Sequence, residues 1–380
     1  MGDGTFDNKN IIGKGGNFIP TYQSFESLHY VDSYVSDDYL GLLDDTDGAY
    51  SESSNFLDNF DISIGRLPVS TQEEAAVMVD KIIHYSDPAS MGDWRNQVTI
   101  VADDGNTNLH LGQAEENAAD ISSKNPLFNI DKIYLDAYKQ ESSPGGTRYP
   151  EVNKAILQKM SLGTLLLNYT GHGGELGWAH ERILTISDIN AMQNYDKLAL
   201  MITATCGFSR WDNPDFLSAG ELTLLNSKGG AIALFTTTRT VYSGYNKDLN
   251  EKIIEAIFGP EFANKPTSIG DFYRLAKNNL SNNIADQKNS RNFSILGAPS
   301  IILGLPKLKV TTLTVNDKAI ESADTIKALG KVTITGEIRD LNNSKLSDYN
   351  GFIYPTIYDK ISNLQTLGND SLSTLPGEDR

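Results

Sequence analysis

One cysteine in 380 residues excludes an internal disulfide and any metal site built from several thiolates. Apolar runs are short, and none approaches the ~18–20 residues that a membrane-spanning helix requires. Residues Met1–Gly4 supply neither a basic stretch nor an apolar one, so they do not read as a secretory leader. Basic residues are also in deficit: 32 Lys and Arg stand against 49 Asp and Glu, for a net charge of −17. A surface of that sign repels phosphate backbones and anionic headgroups, which argues against nucleic acid as a partner and against adsorption to membranes. No internal repeat is evident. The Gly-rich turn Gly171–Gly174 lacks the G-x-G-x-x-G spacing, and no P-loop lysine is present, which argues against a nucleotide-binding sheet.

What is present is a folded chain by composition, with a hydrophobic fraction of 39% and a charged fraction of 21%. Residues 1–60 are rich in Gly, Asn, Asp, Tyr and Ser and read as loops and short strands. Thr71–Tyr85 carries an apolar stripe at Ala75, Val77, Met78, Ile82 and Ile83, and Thr71 with Glu74 predicts a capping box. From Asn96 onward strands and helices alternate. Val98–Ala102, Lys132–Leu135, Gly163–Tyr169, Leu198–Thr205, Ala231–Thr236 and Ser300–Leu303 read as strands, with helices between them, Gly112–Ser123 the first. That alternation predicts an α/β fold: a parallel sheet covered by helices on both faces. After Pro306 the segments Lys309–Val315, Lys331–Ile338 and Phe352–Tyr358 carry β-branched residues and no helical stripe, as in a β-sandwich with too few strands. The expected division is 1–94, the N-terminal part of the catalytic region; 95–305, the catalytic sheet; and 306–380, an incomplete β domain. The chain opens in a loop and closes just after a strand-like segment, so a fragment is expected, with targeting signals elsewhere.

Two strand ends carry the chemistry. In Asn168-Tyr169-Thr170-Gly171-His172-Gly173-Gly174 a histidine stands just past an apolar strand among three glycines. In Met201-Ile202-Thr203-Ala204-Thr205-Cys206-Gly207 the sole cysteine stands just past another. Ligand sites of parallel sheets form outside the carboxyl ends of the strands, so both residues are expected at one edge, brought together by a single crossover. A thiolate attacks a carbonyl carbon, and an imidazole hands a proton to the leaving amine. The resulting oxyanion needs fixed donors, for which the N–H groups of Gly173 and Cys206 are the candidates. A buried cysteine and a loop histidine that never meet remain the bland alternative.

These motifs resemble the gingipain family of cysteine peptidases over roughly residues 15–305. The likeness lies in Asn168–Gly173 followed by Trp178, in Thr203–Cys206 with Phe208-Ser209-Arg210 and Asp212-Asn213-Pro214, and in Ile64–Pro68 and Asn17–Gln23. The stretch from Cys206 to Pro214 is similar to the gingipain-like sortases of the type IX secretion system rather than to the proteolytic gingipains.

The resemblance implies a caspase-like fold followed by an immunoglobulin-like domain, with His172 and Cys206 as the catalytic pair. It also implies an acidic residue orienting the histidine, at Asp104, and a substrate-pocket tryptophan, Trp178. Asp103-Asp104-Gly105 also reads as an ordinary turn, and Trp178 as plain core. The aspartate of the arginine-specific gingipains has no equivalent in Asn106–Gly112, and their late G-D-P-S turn reads Gly297-Ala298-Pro299-Ser300. His180 reads as structural or solvated. No cofactor is required for the chemistry. Gingipains bind structural calcium, for which Asp37, Asp38, Asp44, Asp45 and Asp47 are candidates, although their spacing fits no EF-hand and a solvated acidic loop is the plainer reading.

The expected function is that of a sortase at the outer face of the bacterial outer membrane. It cleaves the C-terminal secretion signal of cargo proteins through an acyl-enzyme and passes the acyl group to an amine on a surface glycolipid, alongside other outer-membrane secretion components. A general secreted endopeptidase and an inactive scaffold subunit are the alternatives.

Overall fold

A computed structural model describes the chain except residues 17, 26–28, 30, 32, 46, 48–57, 260–264, 281–283, 328, 354, 356, 358–365 and 370–380. Its centre is a seven-stranded sheet. The strands are β1 (Gly65–Arg66), β2 (Gln97–Ala102), β3 (Asn129–Tyr134), β4 (Leu166–Thr170), β5 (Ala199–Ala204), β6 (Ala231–Thr237) and β7 (Phe293–Leu296), in the order β1-β7-β6-β5-β4-β2-β3. The run from β6 to β3 is parallel, β7 is antiparallel to β6, and β1 is parallel to β7. Two edge strands therefore run against the parallel core. The last strand is Phe293–Leu296, not the expected Ser300–Leu303, where Ile302 forms only an isolated bridge to Ser268.

Alternate residues of each strand feed opposite faces. Val98, Ile100, Leu200 and Ile202 enter one apolar cluster, and Val101, Leu167, Tyr169 and Met201 enter the other. Both faces are thus buried, which is why β5 and β6 are apolar or small throughout and wholly inaccessible. Helix α1 (Gln72–Tyr85) starts at the predicted capping box, with Thr71 accepting from the Glu74 N–H and Glu74 accepting from the Thr71 N–H. Helix α2 (Gly105–Lys124) begins earlier than Gly112, because Asn106, Thr107 and Asn108 coil left-handed at φ 55°, 58° and 62° before the regular turns. Helix α3 (Pro150–Leu162) joins β3 to β4 by way of a short hairpin, and a short helix α4 (Ile186–Ala191) lies between β4 and β5. Helix α5 (Ala219–Leu225), opened by a Ser218–Glu221 capping box, precedes β6. Helix α6 (Ser243–Phe258) packs on the sheet through a reciprocal amide pair between Asn250 and Asn168 of β4, with N–O distances of 2.6 and 3.1 Å.

Beyond Pro306, Leu308–Val315 pairs with Ile334–Asp340 and with Lys318–Ala319 in a three-stranded antiparallel sheet. The described residues of Phe352–Tyr358 form no strand, and Tyr354, Thr356 and Tyr358 lie outside the described residues. Asp37 and Asp38 are committed to buried cations: Asp37 binds Arg66 through two bonds of 2.6 and 2.7 Å, and Asp38 binds Lys277. They therefore leave the candidate calcium set, in which Asp44, Asp47 and the unpredicted Asp61 draw together on the surface without Asp45.

Candidate active site

The site sits where four parallel strands end. Ala102 of β2, Thr170 of β4 and Ala204 of β5 are level in the register. The ladder continues one step further, with Asp103 N–H donating to Thr170 O and Gly171 N–H to Ala204 O. Asp103, His172 and Cys206 therefore leave three adjacent strands at one edge. After β6, Arg239 O receives the Gly207 N–H at 2.9 Å, and Val241 O receives the Cys206 thiol at 3.6 Å. Gly207 takes φ 53°, a left-handed turn that suits a residue without a Cβ immediately after the cysteine.

His172 is fixed through its backbone. Its N–H donates to Asp103 Oδ2 at 2.6 Å, and its carbonyl accepts from the Tyr169 hydroxyl at 2.6 Å and from Ala179 N–H at 2.8 Å. Its ring lies 5.2 Å from that of His110 and 5.0 Å from that of His180. Gly173 pairs with Trp178 in a small antiparallel ribbon, and the neighbouring Ala179-to-His172 bond makes this the non-hydrogen-bonded kind of pair. The Gly173 N–H consequently points away from the Trp178 strand. Gly173 and Cys206 line the same cleft, together with Gly174, Glu175, Arg210 and Thr238 to Thr240.

Two other expected site residues stand elsewhere. Asp104 does not reach His172; its carboxylate accepts from the Tyr149 hydroxyl, and burial pushes its pKa up to about 6 against the lowering effect of that bond. The residue beside the histidine is Asp103. The physical reason is the turn: Asp103 Oδ1 accepts from Gly105 N–H at 2.9 Å, which aims its carboxylate at the His172 loop while Asp104 faces Tyr149. Trp178 is wholly buried, stacked on Tyr169 at 4.3 Å and tilted against Phe208 at 5.6 Å, so it packs beneath the Gly173 ribbon rather than lining an open pocket. His180 is exposed, and its ring neighbours that of His172.

The stretch after the cysteine is a set of ties. Phe208 is core. Ser209 bonds the Thr236 hydroxyl at 2.8 Å. Arg210 and Asn213 both donate to the Glu175 carboxylate, each at 2.9 Å. Asp212 holds Arg239 by two bonds of 2.7 and 2.5 Å, both side chains buried. The loop after His172 and the loop after Cys206 are thereby clamped together through Glu175. Sequence reasoning missed Glu175, His110 and Asp103. Their one visible signal was a polar residue within a few positions of the same strand ends.

The Cys206 thiol is half-buried, and that burial pushes its pKa up, with the hydrogen bond to Val241 counted as a smaller, opposing effect. In this resting state it is a thiol turned toward a carbonyl. Burial also lowers the pKa of His110, and the adjacent Asp103 charge opposes that shift.

Residues 1–304 match the profile of peptidase family C25. Lys-gingipain of Porphyromonas gingivalis is 28% identical over 211 residues, which cover 54% of this chain and 11% of that protein. The chain thus spans a small part of this relative's length. The crystal structure of the Arg-specific cysteine proteinase gingipain R superposes with a TM-score of 0.57 at 17% identity, covering 73% of this chain and 62% of that one, a likeness of fold. Dimeric latent PorU from Porphyromonas gingivalis is 24% identical over 90% of this chain and 27% of its own, but its TM-score of 0.38 is too low to bear on fold or function.

Proposed function

Since this chain belongs to peptidase family C25, we propose that it is a cysteine endopeptidase with Cys206 as nucleophile and His172 as the proton-transfer group. The observation that carries this reading is the register that ends β4 and β5 level, with Gly173 and Cys206 on one cleft. Substrate entering the cleft draws the thiol away from Val241, and His172 takes its proton as the sulfur attacks the scissile carbonyl carbon. The N–H groups of Gly173 and Cys206 hold the oxyanion. Collapse breaks the C–N bond, the imidazolium returns the proton to the leaving amine, and a thioester remains on Cys206. Asp103 holds the His172 loop through the backbone N–H of His172 and stands within 4.8 Å of a ring nitrogen. The scheme needs no cofactor.

The finer reading is a sortase. An amine, rather than water, resolves the thioester, and the protein substrate is the C-terminal secretion signal of type IX cargo. Its support is the residue set Phe208-Ser209-Arg210 with Asp212-Asn213-Pro214, which resembles the secretion-system sortases and which here ties both catalytic loops to Glu175. That reading puts the enzyme at the extracellular face of the outer membrane, among other secretion components and a glycolipid amine acceptor. No helix among the described residues is long and apolar enough to cross a membrane.

The test is to incubate the full-length protein with a cargo C-terminal domain and an amine acceptor, then weigh the products. Cargo joined to the amine supports the sortase. Cargo cut and hydrolysed even at saturating amine leaves a general endopeptidase, and uncut cargo leaves a scaffold.

A further inference from the structure

Asp103, His110 and His172 each offer a ligand atom, and these atoms all lie within 4.8 Å of one another. They come from three places: the end of β2, the loop after β4, and α2 just past the left-handed residues Asn106–Asn108. Left-handed backbone costs an L-residue ~1–2 kcal/mol, so three in succession are a local expense that the site's neighbours must offset. Their effect is to carry the chain so that His110 lies with its ring beside that of His172.

A second observation points to a ligand. His110 is 4% exposed, and its Nδ1 is buried without a well-formed hydrogen bond; the Gln113 side chain interacts with the ring, and Nε2 lies 3.3 Å from the Asn106 amide nitrogen. A buried polar atom without a partner costs ~1–3 kcal/mol, so an imidazole nitrogen short of a well-formed bond within a group of metal-ligating side chains calls for an explanation.

We propose that Asp103, His110 and His172 form a Zn²⁺ site whose occupancy withdraws His172 from proton transfer and reversibly switches the peptidase off. The donor set is right for that ion: two imidazoles and one carboxylate, with a fourth position open. Zinc holds such ligands at ~2.0–2.2 Å in a tetrahedron, hence roughly 3.3–3.5 Å from one another, so side-chain movements of about 1 Å close the site. Asp103 is already oriented by the N–H groups of Gly105 and His172, as outer-shell partners orient metal-ligating carboxylates. Ca²⁺ and Mg²⁺ prefer all-oxygen sites and do not suit this one. Cys206 is not among the three, so the site differs from capture of zinc by a thiolate.

The inhibitory half of the proposal rests on His172 being the catalytic imidazole; the binding half does not. Zinc is therefore titrated first into the full chain carrying Cys206→Ala, which removes the thiol, using calorimetry against a competing chelator. One Zn²⁺ per chain is expected, undisturbed by excess Ca²⁺. Adding His110→Ala should weaken it by at least about 10–100-fold, and His110→Gln, which keeps a polar group beside Asn106, provides a second variant if the first unfolds. No zinc bound by the Cys206→Ala chain, or equal affinity after folded His110 variants, overturns the site. With the wild-type thiol, Zn²⁺ should stop cleavage of a peptide substrate, a chelator should restore it, and His110→Ala should raise the inhibitory concentration by the same factor. Zinc binding without any peptidase activity to inhibit would sink the catalytic reading and leave the metal site standing.

Discussion

Asp103 Oδ2 accepts a 2.6 Å hydrogen bond from the backbone N–H of His172, whereas the next residue, Asp104, is held by the Tyr149 hydroxyl. The two adjacent carboxylates should therefore separate on substitution. Asp103→Asn weakens the hold on the His172 loop. A charge-assisted bond of this kind is worth ~1.5–3 kcal/mol, so kcat/KM should fall by roughly 10–100-fold. Asp104→Asn should leave kcat/KM within about threefold. Its effect belongs to stability: with a folded pKa of about 6 against an ordinary 3.8, Asp104 favours the fold below pH 3.8 and loses that contribution as pH rises through 6. Asp104→Asn should flatten that stretch of the stability–pH curve. A large rate loss at Asp104 with little at Asp103 would reverse the assignment.

Gly173→Pro removes the N–H that points away from the Trp178 strand. Loss of one oxyanion donor lowers kcat by about 10²–10³ with little change in substrate binding. Circular dichroism must show the variant folded, since the position is tight: an added Cβ would stand 2.6 Å from Thr205 Oγ1. Near-normal turnover by the folded variant removes Gly173 from the mechanism.

The raised pKa of Cys206 gives the labelling experiment a sign. A thiol whose pKa lies above the ordinary 9.0 carries less thiolate than free cysteine at every lower pH. Iodoacetamide should thus react more slowly with the folded protein than with an unfolded control at neutral pH, and the rate should climb past the usual thiol range. A peptidyl electrophile should invert the order, because occupying the cleft turns the sulfur from Val241 and aligns attack. His172→Ala should abolish that inversion while leaving the melting temperature nearly unchanged. If the peptidyl reagent also favours the unfolded chain, Cys206 is a buried structural thiol and the scaffold reading leads.

Glu221 caps α5 by accepting from both Ser218 N–H and Ser218 Oγ, at 2.8 and 2.6 Å. Burial first, then the charge of Asp3, push its pKa up to about 8 from an ordinary 4.5. The folded protein keeps a proton there that the unfolded chain releases. Stability contributed by this group is complete below about pH 4.5 and is lost as pH rises through 8, a fall of a few kcal/mol. Glu221→Gln still accepts from Ser218 and has no proton to lose, so its denaturation midpoint should vary less than wild type between those limits. Parallel pH profiles for the two proteins would show that Glu221 does not carry the effect.

Much of this molecule follows from local pattern. Apolar strands each ending in a polar or Gly-rich turn determine a parallel sheet with a functional edge, because a strand buried on both faces has no choice of side. The Thr71–Glu74 capping box is likewise local, since donor and acceptor lie three residues apart. The placement of His172 and Cys206 at one sheet edge was legible for the same reason: each stands just past the end of its own apolar strand, and the two strands pair in register. What only the tertiary structure decided lies where the regular pleat stops. Inside a strand, successive residues face opposite ways by rule; past Ala102 that rule lapses, and the bond from Gly105 N–H chooses Asp103 over Asp104. His110 reaches the His172 ring through a left-handed turn that no periodicity encodes. Trp178 is core because Tyr169 and Phe208, distant in sequence from each other, close over its ring. The tie from Glu175 to Arg210 and Asn213 depends on β4 and β5 being neighbours, a pairing fixed by crossover topology and not by either loop alone.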